Sequence, residues 1–162
     1  MADQTTTSYD SRPATYEHIG QVRGLLIDVA TELLRRAHMH DASKLVEPEL
    51  SVFNEVSPLL HGLTYGSPEY EHARAQMGDA LQHHYDHNDH HPEFHERGVA
   101  GMDLVELTEM LCDWVAAASR HADGDVRESL EINQRRFGYG DELKGILANT
   151  LNRIDPWHHG VA

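Results

Sequence analysis

The sequence predicts an all-α chain, and three observations carry the prediction. Apolar residues recur at spacings of three and four over most of the length. No stretch shows the strict apolar–polar alternation of a strand. The interruptions between periodic stretches are rich in Pro, Gly, Ser, Asn and Asp, the residues of turns and caps. A chain of 162 residues suits one domain around one core, so the expectation is a single bundle of about six helices.

The elements follow in order. Residues 1–14 are polar and repeat Thr and Ser, which reads as a loose tail. Over residues 16–37, Val22, Leu25, Val29 and Leu33 form an amphipathic stripe. A second helix is expected over 41–56, interrupted at Pro48, which suits the first turn of a separate short helix. "SPLLHGLTYGSPEY" reads as a loop, with Ser67 as N-cap and Pro68 at the first helical position of a helix over 69–84. "DHNDHHPEFHERGVAG" is a second loop. Helices then run over 103–121, 126–137 and 142–153, separated by "ADGD" and "GYGD". The domain spans 15–155 and residues 156–162 form a C-terminal tail.

Composition excludes several function classes. The net charge of −14 argues against a long nucleic acid as partner, since phosphate backbones need a basic face. It leaves room for a small phosphorylated substrate, because bound cations invert the field of an acidic site. No apolar run approaches the roughly 18 residues of a membrane span, and the N-terminus has no secretory signal. The single cysteine, Cys112, rules out an internal disulfide framework and fits a reducing cytoplasm. The outlier is histidine, 14 of 162 residues, six of them between His83 and His95.

The polar residues on helix faces point to a metal. His18 shares the apolar stripe of the first helix and is expected to face inward. Asp113 lies between Met110 and Ala117 on an apolar face, and a buried carboxylate requires a cation. That cation is either an arginine, with Arg120 or Arg135 within reach, or a metal ion. His40 and Asp41 together offer the mixed nitrogen and oxygen donors that Mn, Fe, Co, Ni or Zn accept. Glu106 is a candidate acceptor for a ligand histidine, or a solvated helix charge.

The order His18, His40-Asp41, Asp113 on an all-helical chain resembles the HD superfamily of metal-dependent phosphohydrolases. "HIGQV" is similar to the first-helix histidine segment of its nucleotidases, and "HDASK" to their His-Asp segment. "LQHHYDHNDHHPE" resembles the paired histidines of its cyclic-dinucleotide phosphodiesterases, and "EMLCDWVAAASR" the helix of the final aspartate. A closer likeness, over residues 16–152, is to uncharacterised small helical proteins of phages and bacteria. These share segments of the form HD-x-SKL, HHY-x-x-N-x-HHPE and EMLCDW. The resemblance implies a helical bundle of the HD-domain type. It implies a first divalent transition metal held by His18, His40, Asp41 and Asp113. A second ion would be held by His84 and His91, with His83 and His90 as alternates, and Asp41 would bridge the two.

The chemistry implied is phosphoester hydrolysis by metal-activated water. Asp41 and Lys44 carry it, Lys44 as a point charge on the phosphate. Arg135, Arg136 and Tyr65 are candidates for phosphate and base contacts. Nucleotidase-like members have a glutamate where this chain has Lys44, which argues against a strict 5′-nucleotidase. The expected partner is a small phosphorylated substrate, a nucleotide above all, and a homodimer is compatible with the sequence. Two other classes stand beside this one: a di-iron oxygenase of the same architecture, and a non-catalytic metal-stabilised binding protein.

Overall fold

A computed structural model describes residues 9–119 and 125–154. Among them every regular element is helical. The helices are α1 (Arg12–Met39), α2 (Glu49–Leu60), α3 (Pro68–Ala75), α4 (Gly78–His87), α5 (Leu104–Ala118), α6 (Val126–Phe137) and α7 (Asp141–Ile154). Three short 3-10 turns, Ala42–Leu45, Pro92–Phe94 and Gly98–Gly101, lie between them. No described helix is long and apolar enough to cross a membrane.

The chain divides into two compact units, one ending at His38 and one beginning at Met39. Among the described residues the first unit is formed by α1, which starts within the stretch expected to be a loose tail. Residues 1–8 lie outside the described residues, as do 120–124 and 155–162 with Arg120, His121 and the predicted C-terminal tail. The stripe expected to face inward is open along α1: Val22, Leu25 and Val29 are exposed, and so is His18.

In the second unit, local chemistry sets the helix ends. Ser67 caps α3 by accepting from the Tyr70 N–H at 3.1 Å, with Pro68 in the first turn as expected. Asp103 caps α5 and forms a reciprocal box with Glu106, whose carboxylate accepts from the Asp103 N–H at 2.7 Å. Asp125 caps α6, and Gly138, at φ 69°, ends it in the left-handed conformation that glycine tolerates.

Two predicted helices are broken in the structure. Residues 41–56 form a 3-10 turn and then α2, which begins immediately after Pro48. Residues 69–84 form α3 and α4, separated at Gln76 and Met77, with Gly78 at φ 51°. α4 continues to His87, so the His83–His84 pair lies within a helix instead of at its end.

The core joins α5, α6 and α7. Met110, Leu111, Val115, Leu130, Leu147 and Leu151 are buried together, with Trp114 and Phe137 stacked beside them. Tyr139 is buried with them and donates its hydroxyl to the Leu130 carbonyl at 2.8 Å. α2, α3 and α4 pack with the Ala42–Leu45 turn, and α4 with the Pro92–Phe94 turn. Leu151 is 0% exposed, so Leu151→Ala should lower unfolding free energy by about 2–5 kcal/mol. Leu104→Ala, on a side chain 79% exposed, should change it by less than about 0.5 kcal/mol; urea titrations of the two variants check the contrast.

Candidate metal centre

Six segments of the second unit bring their polar side chains to one place. His40 and Asp41 follow α1, Ser43 and Lys44 lie in the 3-10 turn, Glu49 opens α2, His83 and His84 come from α4, and His90 and His91 from the loop after it. Glu109 and Asp113, four residues apart, project from one face of α5. Asp41 adopts φ 56° and ψ 17°, a left-handed conformation that aspartate tolerates better than most residues.

Three groups of donor atoms form, each with its atoms within 4.8 Å of one another. The first is Asp41, His84, His90 and His91; the second is His40, Asp41 and Asp113; the third is His40, His90 and Glu109. Asp41 Oδ1 lies 3.3 Å from His84 Nε2 and 3.6 Å from His90 Nε2. His84 Nε2 and His91 Nε2 are 2.9 Å apart. His40 Nε2 lies 3.6 Å from both Asp41 Oδ2 and Asp113 Oδ1. Asp41 Oδ1 and His90 Nε2 are buried without a hydrogen-bond partner in the structure, as is Glu93 Oε2 near Arg136.

Two further carboxylates stand behind the histidines. Glu49 is 0% exposed; its Oε1 lies 2.7 Å from His83 Nδ1, and its Oε2 lies 2.9 Å from His84 Nδ1 and accepts from Ser43 Oγ at 3.0 Å. Glu109 Oε1 lies 2.8 Å from His40 Nδ1 and 3.3 Å from His90 Nδ1. Lys44 Nζ donates to Asp41 Oδ2 at 2.5 Å and sits 5.2 Å over the Phe53 ring.

Of the residues singled out from sequence, the structure unites His40, Asp41, Lys44, His84, His90, His91 and Asp113. His83 is turned to Glu49 and stacks on His87, outside all three groups. His18 belongs to the first unit, whereas every group is drawn from the second. Arg136 donates to Glu93 at 2.7 Å and to the Tyr65 hydroxyl at 3.4 Å, while Tyr65 donates to Asn133. Arg135 is exposed at the end of α6. The Tyr85 hydroxyl accepts from Arg74 at 2.9 Å, and the Tyr85 ring lies 5.1 Å from His91 at one edge of the cluster.

Glu106 serves the α5 cap and lies 3.6 Å from His95, which is outside the three groups; the acceptor role considered for it falls to Glu109. His95 is largely buried and bonds the Asp89 carbonyl at 2.7 Å. Glu49 and Glu109 were both missed in the sequence. Glu109 had a signal, its position one helical turn before Asp113; Glu49 had none beyond following Pro48.

Residues 7–154 match the family of unknown function DUF5662. No curated protein and no solved structure matches the chain.

The electrostatics divide the cluster. The carboxylates of Asp113 and Glu109 push His40 up to about 10. Burial pushes His91 down to about 3, helped by repulsion from His90 and His84, and burial lowers His84 and His90 as well. Against its own burial, Asp113 is held down to about 2 by His40 and the neighbouring histidines. In metal-stripped protein, the unfolded chain therefore takes up a proton at His91 below about pH 6.5, whereas the folded chain does so only near 3. Stability should fall as pH drops through that window, and Asp113 adds a further loss toward pH 2. Urea midpoints of chelator-treated protein at stepped pH check this, and His91→Asn should flatten the slope across the same window.

Proposed function

The chain belongs to the family of unknown function DUF5662, and with no reaction to inherit from it we propose a metal-dependent phosphohydrolase that acts on a small organic phosphate such as a nucleotide. The observation that carries this reading is the pair of partnerless buried atoms, Asp41 Oδ1 and His90 Nε2. They sit 3.6 Å apart, with His84 Nε2 3.3 Å from the same oxygen. Donors on one ion at bond lengths of about 2.1 Å stand roughly 3.0–3.5 Å apart, so the spacing suits a shared cation better than direct hydrogen bonds. Three imidazoles with a carboxylate favour Mn, Fe, Co, Ni or Zn over magnesium or calcium. The second group, His40, Asp41 and Asp113, would hold another ion, with Asp41 common to both.

Such an ion supplies a water of lowered pKa and neutralises phosphate oxygens. The protein's own residues do the rest. Asp41, Asp113 and Glu109 make the bare site acidic, so an anionic substrate approaches only where bound cations reverse the local field. Lys44, held against Asp41, adds a positive charge at the edge of the cluster. Arg136 and Tyr65, which bond each other, would contact the distal part of the substrate. The single cysteine agrees with a cytoplasmic setting.

The nitrogen-rich group of three histidines with Asp41 favours a second reading, a di-iron oxygenase. One substrate panel of phosphate esters, run aerobically and anaerobically on the same metal-loaded sample, separates the two. Hydrolysis predicts phosphate release in both atmospheres and its loss on chelation; strict oxygen dependence would reverse the choice.

Asp41→Asn should strip most of the metal by elemental analysis, and a variant with full metal content would overturn the site. Lys44→Ala should keep the metal but slow turnover by roughly tenfold to a thousandfold, the range for losing one charge-stabilising donor.

A further inference from the structure

We propose that Glu49 and Glu109 are positioning residues that hold the cluster histidines by Nδ1, fixing their tautomer so that the Nε2 lone pairs converge on Asp41. The inference rests on the metal-site reading above and names the residues that would organise the site.

Both carboxylates face the Nδ1 side of two histidines. Glu49 meets Nδ1 of His84 at 2.9 Å and of His83 at 2.7 Å. Glu109 bonds Nδ1 of His40 at 2.8 Å, and its carboxylate faces Nδ1 of His90 at an ion-pair distance of 3.3 Å. An ionised carboxylate only accepts hydrogen bonds, so Nδ1 of His84, His83 and His40 must carry the proton, and the Glu109 charge facing His90 Nδ1 favours the proton there. A neutral ring protonated there has its lone pair on Nε2, the atom that faces Asp41 in both His84 and His90. Asn88 Nδ2 also lies 3.1 Å from His84 Nδ1, but shorter contacts to the His84 carbonyl at 2.7 Å and to Ser43 Oγ at 2.9 Å use its two hydrogens. The proton on His84 is left facing Glu49.

The two clamps are independent, one on α2 and one on α5, yet they aim their histidines at a common point. Glu49 sits at the first residue of α2, where the helix dipole favours a negative charge. Ser43 completes its coordination. Carboxylates behind ligand imidazoles both orient the ring and raise its basicity toward a metal.

The test uses the full chain, isotopically labelled and stripped of metal, in two measurements. Long-range imidazole proton–nitrogen spectra of the wild type at neutral pH should show His84 and His90 as Nδ1–H tautomers. Finding both as Nε2–H overturns the proposal without any variant. Cobalt(II) titration followed by visible absorption should then show Glu49→Gln and Glu109→Gln binding about 10- to 100-fold more weakly than wild type, with altered bands. Restoring the carboxylate as Glu109→Asp should recover part of the loss. Wild type that binds cobalt while both glutamine variants match it within about twofold overturns the positioning role and leaves the metal site standing. Wild type with Nδ1–H tautomers but no uptake of cobalt, manganese or zinc removes the metal reading and leaves the orientation of the rings intact. If Glu49→Gln fails to fold, Glu109→Gln and the wild-type spectra decide alone.

Discussion

A carboxylate with no access to solvent is the constraint on which the second unit turns. Removing an anion from water costs several kcal/mol unless other groups replace its hydration. At Glu49 that replacement comes from Ser43, His83 and His84, and against the burial these partners hold its carboxyl below the usual range. The requirement ties the turn after α1 to α2 and α2 to α4. The helix that carries Glu49 starts immediately after Pro48, which has no N–H to continue a helix from the preceding turn. The packing of three short elements is thus organised by one charge. The apolar core of α5, α6 and α7 is a separate source of stability, joined to the polar centre through the α5 face that carries Glu109 and Asp113.

The helices that are legible in the sequence are those whose ends are written locally. α6 occupies the predicted span because Asp125 and Gly138 bracket it, and Ser67 with Pro68 announces α3 for the same reason. The division between α3 and α4 is not written that way. Gly78 alone marks it, and a single glycine within a helical pattern is tolerated as often as it breaks one. The α1 stripe shows the converse limit: periodicity says which residues share a face, but not whether another element covers it.

The site follows the same division. His40, Asp41 and Asp113 were conspicuous because histidine and aspartate are unusual among apolar neighbours. The choice between His90 and His91 was not decidable from spacing, since both lie in one loop, and the structure places both in the same donor group. Glu49 and Glu109 escaped because glutamate is common on helix surfaces. Their importance comes from contacts 34 to 69 residues away in the chain, which no local pattern encodes.

Asp41 combines two requirements that few side chains meet together. Its backbone is left-handed, which glycine, asparagine and aspartate enter most readily. Its side chain is the oxygen donor common to two groups and the partner of Lys44. Glycine would keep the turn and lose the donor. Glutamate would keep a carboxylate but fit the turn poorly and place its oxygens one bond further out. Asparagine would keep the turn and one oxygen while losing the charge. Among the genetically encoded residues only aspartate satisfies both demands, so nearly every missense change at this codon is expected to be costly, and the few that spare the backbone are the ones that isolate the chemistry.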